Sequence, residues 1–101
     1  MTLQFSTEQE ETLRSKGEWG MREQPFPGVE YTVIFDNIID ARDKCLLLQN
    51  SSPEDFADIL GQTTYYTVRD AWEDKGEPEE HVFRYFAQRV LNNIQMAATR
   101  I

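Results

Sequence analysis

The C-terminal sequence EPEEHVFRYFAQRVLNNIQMAATRI, residues 77–101, lays out an amphipathic helix from its start signal to its last turn. Pro78 suits the first turn, where its missing N–H would have no helical partner anyway. Glu77, Glu79 and Glu80 sit near the positive end of the helix dipole, and Arg89 and Arg100 fall further along. Phe83, Ala87, Val90, Ile94, Ala97 and Ile101 recur in alternating steps of four and three. Val82, Phe86, Leu91 and Ala98 widen that seam to about half the circumference. His81, Arg84, Gln88, Asn92, Gln95 and Thr99 take the opposite side. A narrow seam of this periodicity would suit a coiled-coil partner, whereas a wide one with two phenylalanines suits the core of a globular domain. The sequence therefore points to a core helix, with Tyr85, Arg89 and Met96 left on its polar side.

Upstream, Ser52-Pro-Glu-Asp carries an N-cap serine, a proline at the first helical position and an acid three residues on. The short helix it opens buries Phe56, Ile59 and Leu60 and stops at Gly61. Thr63 to Asp74 suits a further helix with Tyr65, Val68 and Trp72 inward and Tyr66 on the other side, beside Asp70 and Glu73. Lys75-Gly76-Glu77-Pro78 separates it from the last helix.

Val29, Tyr31, Val33 and Phe35 alternate as one face of a strand, which needs a partner to be stable. Leu3–Phe5 and Lys44–Gln49 are the two candidates. The second competes with a helix in which Ile38, Ala41, Cys45 and Leu48 share a face under an Asp36 or Asn37 cap. The helix is the better reading, at the cost of Arg42 on its apolar side and Leu47 pointing outward. Ser6-Thr-Glu-Gln resembles a capping box, opening a helix to about Lys16 with Leu13 as its one large apolar anchor. Glu18–Gly28, punctuated by Gly20, Pro25, Pro27 and Gly28, reads as an irregular connection whose Trp19, Met21 and Phe26 fold back as anchors.

The expected fold is thus α+β and mostly helical, with four or five helices and a small two-stranded β element around the amphipathic C-terminal helix; the alternative is all-α. With 101 residues the chain reads as a single domain, 1–101, in which 1–28 is peripheral or loosely packed. No apolar run approaches the roughly 20 residues that span a bilayer, and the N-terminus lacks a secretory pattern, so the expected location is cytoplasmic.

One cysteine and one histidine are too few for the usual zinc ligand set, and Cys45 reads as a small buried hydrophobe. The net charge of -8 disfavours a nucleic-acid backbone or an anionic membrane as partner and favours a basic one. That charge is concentrated: residues 70–80 hold six acids against one base, while residues 81–101 hold three arginines and no acid. An EF-hand reading fails, because Gly76 as the sixth loop residue puts Ala71 first. No phosphate-binding glycine loop or nucleophile motif is present, so no catalytic residue, metal ligand or cofactor is expected. The expected site is a partner-binding patch of Tyr66, Asp70, Glu73, Asp74 and Glu77, an aromatic hot spot among steering carboxylates. The expected function is a non-enzymatic protein-binding module, an inhibitor or adaptor for a protein with a basic surface. An oligomer-forming subunit, such as a homodimer, is the second reading, and a small carboxylate- or metal-dependent enzyme the third.

Overall fold

Ser6 opens the first helix, α1 (Thr7–Ser15), through both halves of a capping box. Its hydroxyl accepts from the Gln9 N–H at 3.1 Å, and the Gln9 side chain accepts from the Ser6 N–H at 2.8 Å. The computed structural model describes residues 3–99; Arg100 and Ile101, the end of the C-terminal pattern, lie outside the described residues.

The strand expected at 29–35 is β2 (Val29–Phe35), but neither expected partner pairs with it. Its antiparallel partner is β1 (Trp19–Phe26), the segment read as an irregular connection. Trp19 lies opposite Phe35 and Glu23 opposite Tyr31, and the register breaks between Glu23 and Phe26. Pro25 falls in that break, where its missing N–H costs no ladder bond. Pro27 and Gly28 join the strands. Proline presets the first turn position, and Gly28 takes the positive φ, 90°, that the second requires. One face of the sheet is buried through Met21, Glu23, Val29, Tyr31, Val33 and Phe35, and the other is open.

Between residues 37 and 49 the helical pattern wins over the hairpin. Asn37 caps α2 (Ile38–Gln49) by accepting from the Asp40 N–H at 2.8 Å. The two flaws of that reading are real features. Leu47 is 55% exposed, and Arg42 does enter the packed side. Arg42 is tolerated because its guanidinium donates to the Leu3 carbonyl at 3.1 Å and pairs with Glu10 and Asp43. These contacts, with buried Leu13, fix α1 on α2.

A 3-10 turn, Pro53–Asp55, leads into α3 (Phe56–Leu60), and Gly61 at φ 87° ends it. The next helix, α4 (Gln62–Ala71), is shorter than the expected Thr63–Asp74. Trp72 caps it, and Glu73–Lys75 form a separate 3-10 turn closed by left-handed Gly76, φ 69°. The long C-terminal helix is α5 (Glu79–Ala98), with Pro78 just outside its first turn rather than within it. Its wide apolar face, from Val82 and Phe83 to Leu91 and Ile94, is buried within the chain, chiefly against α2. Arg84 reaches back to the end of α2 and donates to the Leu48 and Ser51 carbonyls at 2.6 and 2.9 Å, tying α5 to the last turn of α2 and the residues after it.

The architecture is therefore α+β and mostly helical, with five α-helices around a two-stranded antiparallel sheet among the described residues, and not all-α. No helix among the described residues is long and apolar enough to cross a membrane.

Candidate functional site

The acid-rich stretch 70–80 spans the junction between α4 and α5, and the turn at 73–76 decides where its charges go. Left-handed Gly76 reverses the chain, so Glu73 and Glu77 approach one hollow from its two sides. Lys75, the one base of the stretch, is carried away from it. Its Nζ lies 5.9 Å from the Phe26 ring centroid, beside Gly28 of the hairpin turn.

The hollow is a groove of about 410 Å³. Buried Trp72, Val82 and Phe83 form its floor, and Arg69, Glu73, Glu77 and Glu79 line it above. Two tyrosines of α4 lie beside the groove without lining it. Tyr65 stacks on Phe83 at 5.1 Å with an interplanar angle of 10°, and its hydroxyl donates to the Glu79 carboxylate. Tyr66 meets Tyr65 edge-on at 5.0 Å and is 43% exposed.

Of the five residues expected to form the site, Glu73 and Glu77 line the groove and Tyr66, Asp70 and Asp74 do not. Tyr66 and Asp70 are tied to it through Arg69. The Arg69 guanidinium carbon sits 4.6 Å from the Tyr66 ring centroid and 5.8 Å from that of Tyr65, while Nη2 lies 3.4 Å from Asp70 Oδ1. Glu77 is shared with exposed His81, whose Nδ1 lies 3.6 Å away, and Glu80 pairs with Arg84.

Sequence reasoning missed Arg69 and assigned Glu79 to the helix dipole and Trp72 to the core alone. The signal for Arg69 was present: it stands three and four residues after two tyrosines, the spacing that brings side chains together on a helix. Among the described residues no three Asp, Glu, His or Cys side chains are grouped so as to hold a metal ion. The groove thus presents carboxylates and one guanidinium around an apolar floor, a chemistry suited to positive charge on an aliphatic or planar stem.

A larger groove, about 660 Å³, runs between residues 3–5, α1, α2 and α5. Its charge is already matched, since Arg42 is held by Glu10, Asp43 and the Leu3 carbonyl. The acidic groove is therefore the better candidate for an electrostatically selected partner.

Two further groups of chemical interest are structural. Burial pushes the Cys45 thiol up to about 12, with nearby Asp40 adding to the effect, so it stays an unreactive thiol. Burial likewise raises the Tyr31 hydroxyl above its ordinary value, and the Glu23 carboxylate opposite it adds to the shift. Glu23 itself, 9% exposed, is held by Arg89 at 2.7 Å. No family model, curated protein or solved structure matches this chain, so the site rests on its own chemistry.

Proposed function

We propose that this chain is a non-enzymatic protein-binding module, an inhibitor or adaptor acting in the cytoplasm, whose acidic groove takes a basic partner. One observation carries the reading: Glu73, Glu77 and Glu79 surround an apolar floor of Trp72, Val82 and Phe83, with Lys75 turned away. Carboxylates on such a rim steer a cationic partner and raise its on-rate, while the floor and the tyrosines beside it supply contact area. The net charge of -8 extends that attraction beyond the groove.

The test is capture from the native host at low salt followed by elution with rising salt. Capture should be lost early in the salt ramp, and Glu73→Lys with Glu77→Lys should abolish it. A partner that binds both variants as well as the parent overturns the assignment of this groove. Adjacent Leu46 and Leu47, 39% and 55% exposed on α2, favour self-association as a second reading. Light scattering that shows a monomer across a concentration series removes that reading.

A further inference from the structure

Arg69 is the one base lining the groove, and it already does what a bound partner would do. Its guanidinium carbon lies 4.6 Å from the Tyr66 ring centroid and 5.8 Å from that of Tyr65, and it pairs with a single carboxylate, Asp70, at 3.4 Å. The hold is light. The Arg69 side chain is 49% exposed and Asp70 58%, so water screens the pair. No carbonyl cap fixes it in the way that Leu48 and Ser51 fix Arg84.

Resting on the protein-binding reading, we infer that the groove recognises arginine rather than lysine, and that Arg69 is an internal competitor which a partner's arginine displaces from Tyr66. Charge complementarity selects a basic segment, because Glu73, Glu77 and Glu79 outnumber the one guanidinium among them. The ring face selects the kind of base. A guanidinium is planar and weakly hydrated, so it stacks on tyrosine at low desolvation cost, whereas an ammonium is compact and strongly hydrated. Displaced Arg69 keeps its charge in water, and the incoming arginine gains the ring and Asp70 beside it, while the groove carboxylates attract the rest of the basic segment. The partner is therefore an exposed Arg-bearing protein segment, and its affinity is lowered by the fraction of time Arg69 holds the ring.

The experiment titrates the full chain with two short capped peptides, an Arg-Ser repeat and a Lys-Ser repeat of equal length and charge, by calorimetry at low and high salt. The parent should bind the Arg peptide more tightly, with both affinities falling at high salt. Arg69→Lys preserves charge but removes the guanidinium, and should tighten Arg-peptide binding about two- to fivefold, the range of one exposed cation–ring contact. Tyr66→Leu should erase the preference for arginine over lysine. If Arg69→Lys leaves Arg-peptide binding unchanged or weaker, while Glu73→Gln still weakens it, the competitor is refuted and the basic-partner reading stands. If neither peptide binds the parent at low salt, both readings fall together. All three substitutions are at exposed positions, and an unchanged circular dichroism spectrum shows that the fold is kept.

Discussion

Arg89→Met should destabilise the chain by about 2–3 kcal/mol, because it strands Glu23 on the buried face of β1. Glu23 is 10% exposed at its side chain, and its Oε1 accepts from Arg89 Nε at 2.7 Å across the β1–α5 interface. Opposite charges about 4 Å apart attract by about 4 kcal/mol at an effective dielectric constant near 20. Taking both groups out of water offsets most of that attraction, so the pair itself contributes little net stability. Losing one partner is different. A fully buried charge left alone costs about 3–5 kcal/mol, and the lower figure used here allows for the 42% exposure of Arg89, through which water can reach the carboxylate. Removing both charges should be milder than removing one.

The assay is urea unfolding at neutral pH, followed by tryptophan fluorescence and far-ultraviolet circular dichroism. Arg89→Met should lower the midpoint with an unchanged slope, and the thermal midpoint should fall by about 10–20 °C for a domain of this size. Glu23→Gln should cost less, since Arg89 can turn to water. The double variant Glu23→Met with Arg89→Met should recover at least half of the loss. A single Arg89→Met variant within about 0.5 kcal/mol of the parent would refute the reasoning, as would a double variant no better than that single one.

Three other outcomes follow from the same packing. Arg84→Met deletes the two bonds to the Leu48 and Ser51 carbonyls and should cost about 1.5–3 kcal/mol in urea unfolding, with hydrogen exchange rising first at the end of α2. Phe86→Ala, at a side chain with no exposure and with Tyr31 and Phe83 against its ring, should cost about 3–5 kcal/mol by the same measurement. For Cys45, whose thiol is raised from 9.0 to about 12, stability is complete below pH 9 and declines above it by about 1.4 kcal/mol per pH unit, as the unfolded thiol ionises and the folded one does not. Cys45→Ala should remove that share of the alkaline slope, and rapid alkylation of the native parent at neutral pH would contradict the burial.

The C-terminal helix was legible because one face, from Val82 to Ile94, is uniformly apolar, so period and composition agree. Strand β1 has the period-two alternation of a strand, Trp19, Met21 and Glu23 inward against Gly20, Arg22 and Gln24 outward. Its inward set contains a charge, and Pro25 then breaks the ladder, so the local pattern resembles a loop. What makes Glu23 an interior residue is Arg89, which is 66 positions away in the chain. A pairing of that range leaves no periodicity to read. The Pro27-Gly28 turn was visible, but it marks a hairpin only once the run before it is accepted as a strand. The helix at 37–49 shows the opposite case: Arg42 weakened the pattern, and its compensation came from Leu3 and Glu10, again remote in sequence.

The candidate site divides along the same line. That residues 70–80 are dense in acids is a property of composition, and it survives intact. Which acids act together depends on one backbone event, the left-handed conformation of Gly76 after a 3-10 turn, and the expectation of a continuous helix to Asp74 hid it. On such a helix Tyr66, Asp70, Glu73 and Asp74 would share a face, with Glu77 just beyond its end. With the turn in place, Glu77 and Glu79 arrive on α5 and its approach, Glu73 meets them across the groove, and Asp74 does not line it. The turn also sends Lys75 to Phe26, so the carboxylates are left without their nearest neutralising base. Only Arg69 then lies among them, and its place on the Tyr66 ring is the contact on which the proposed preference for arginine rests. Charge density alone would attract any cation; the ring beside the groove gives a physical reason for the arginine side chain to be chosen over lysine.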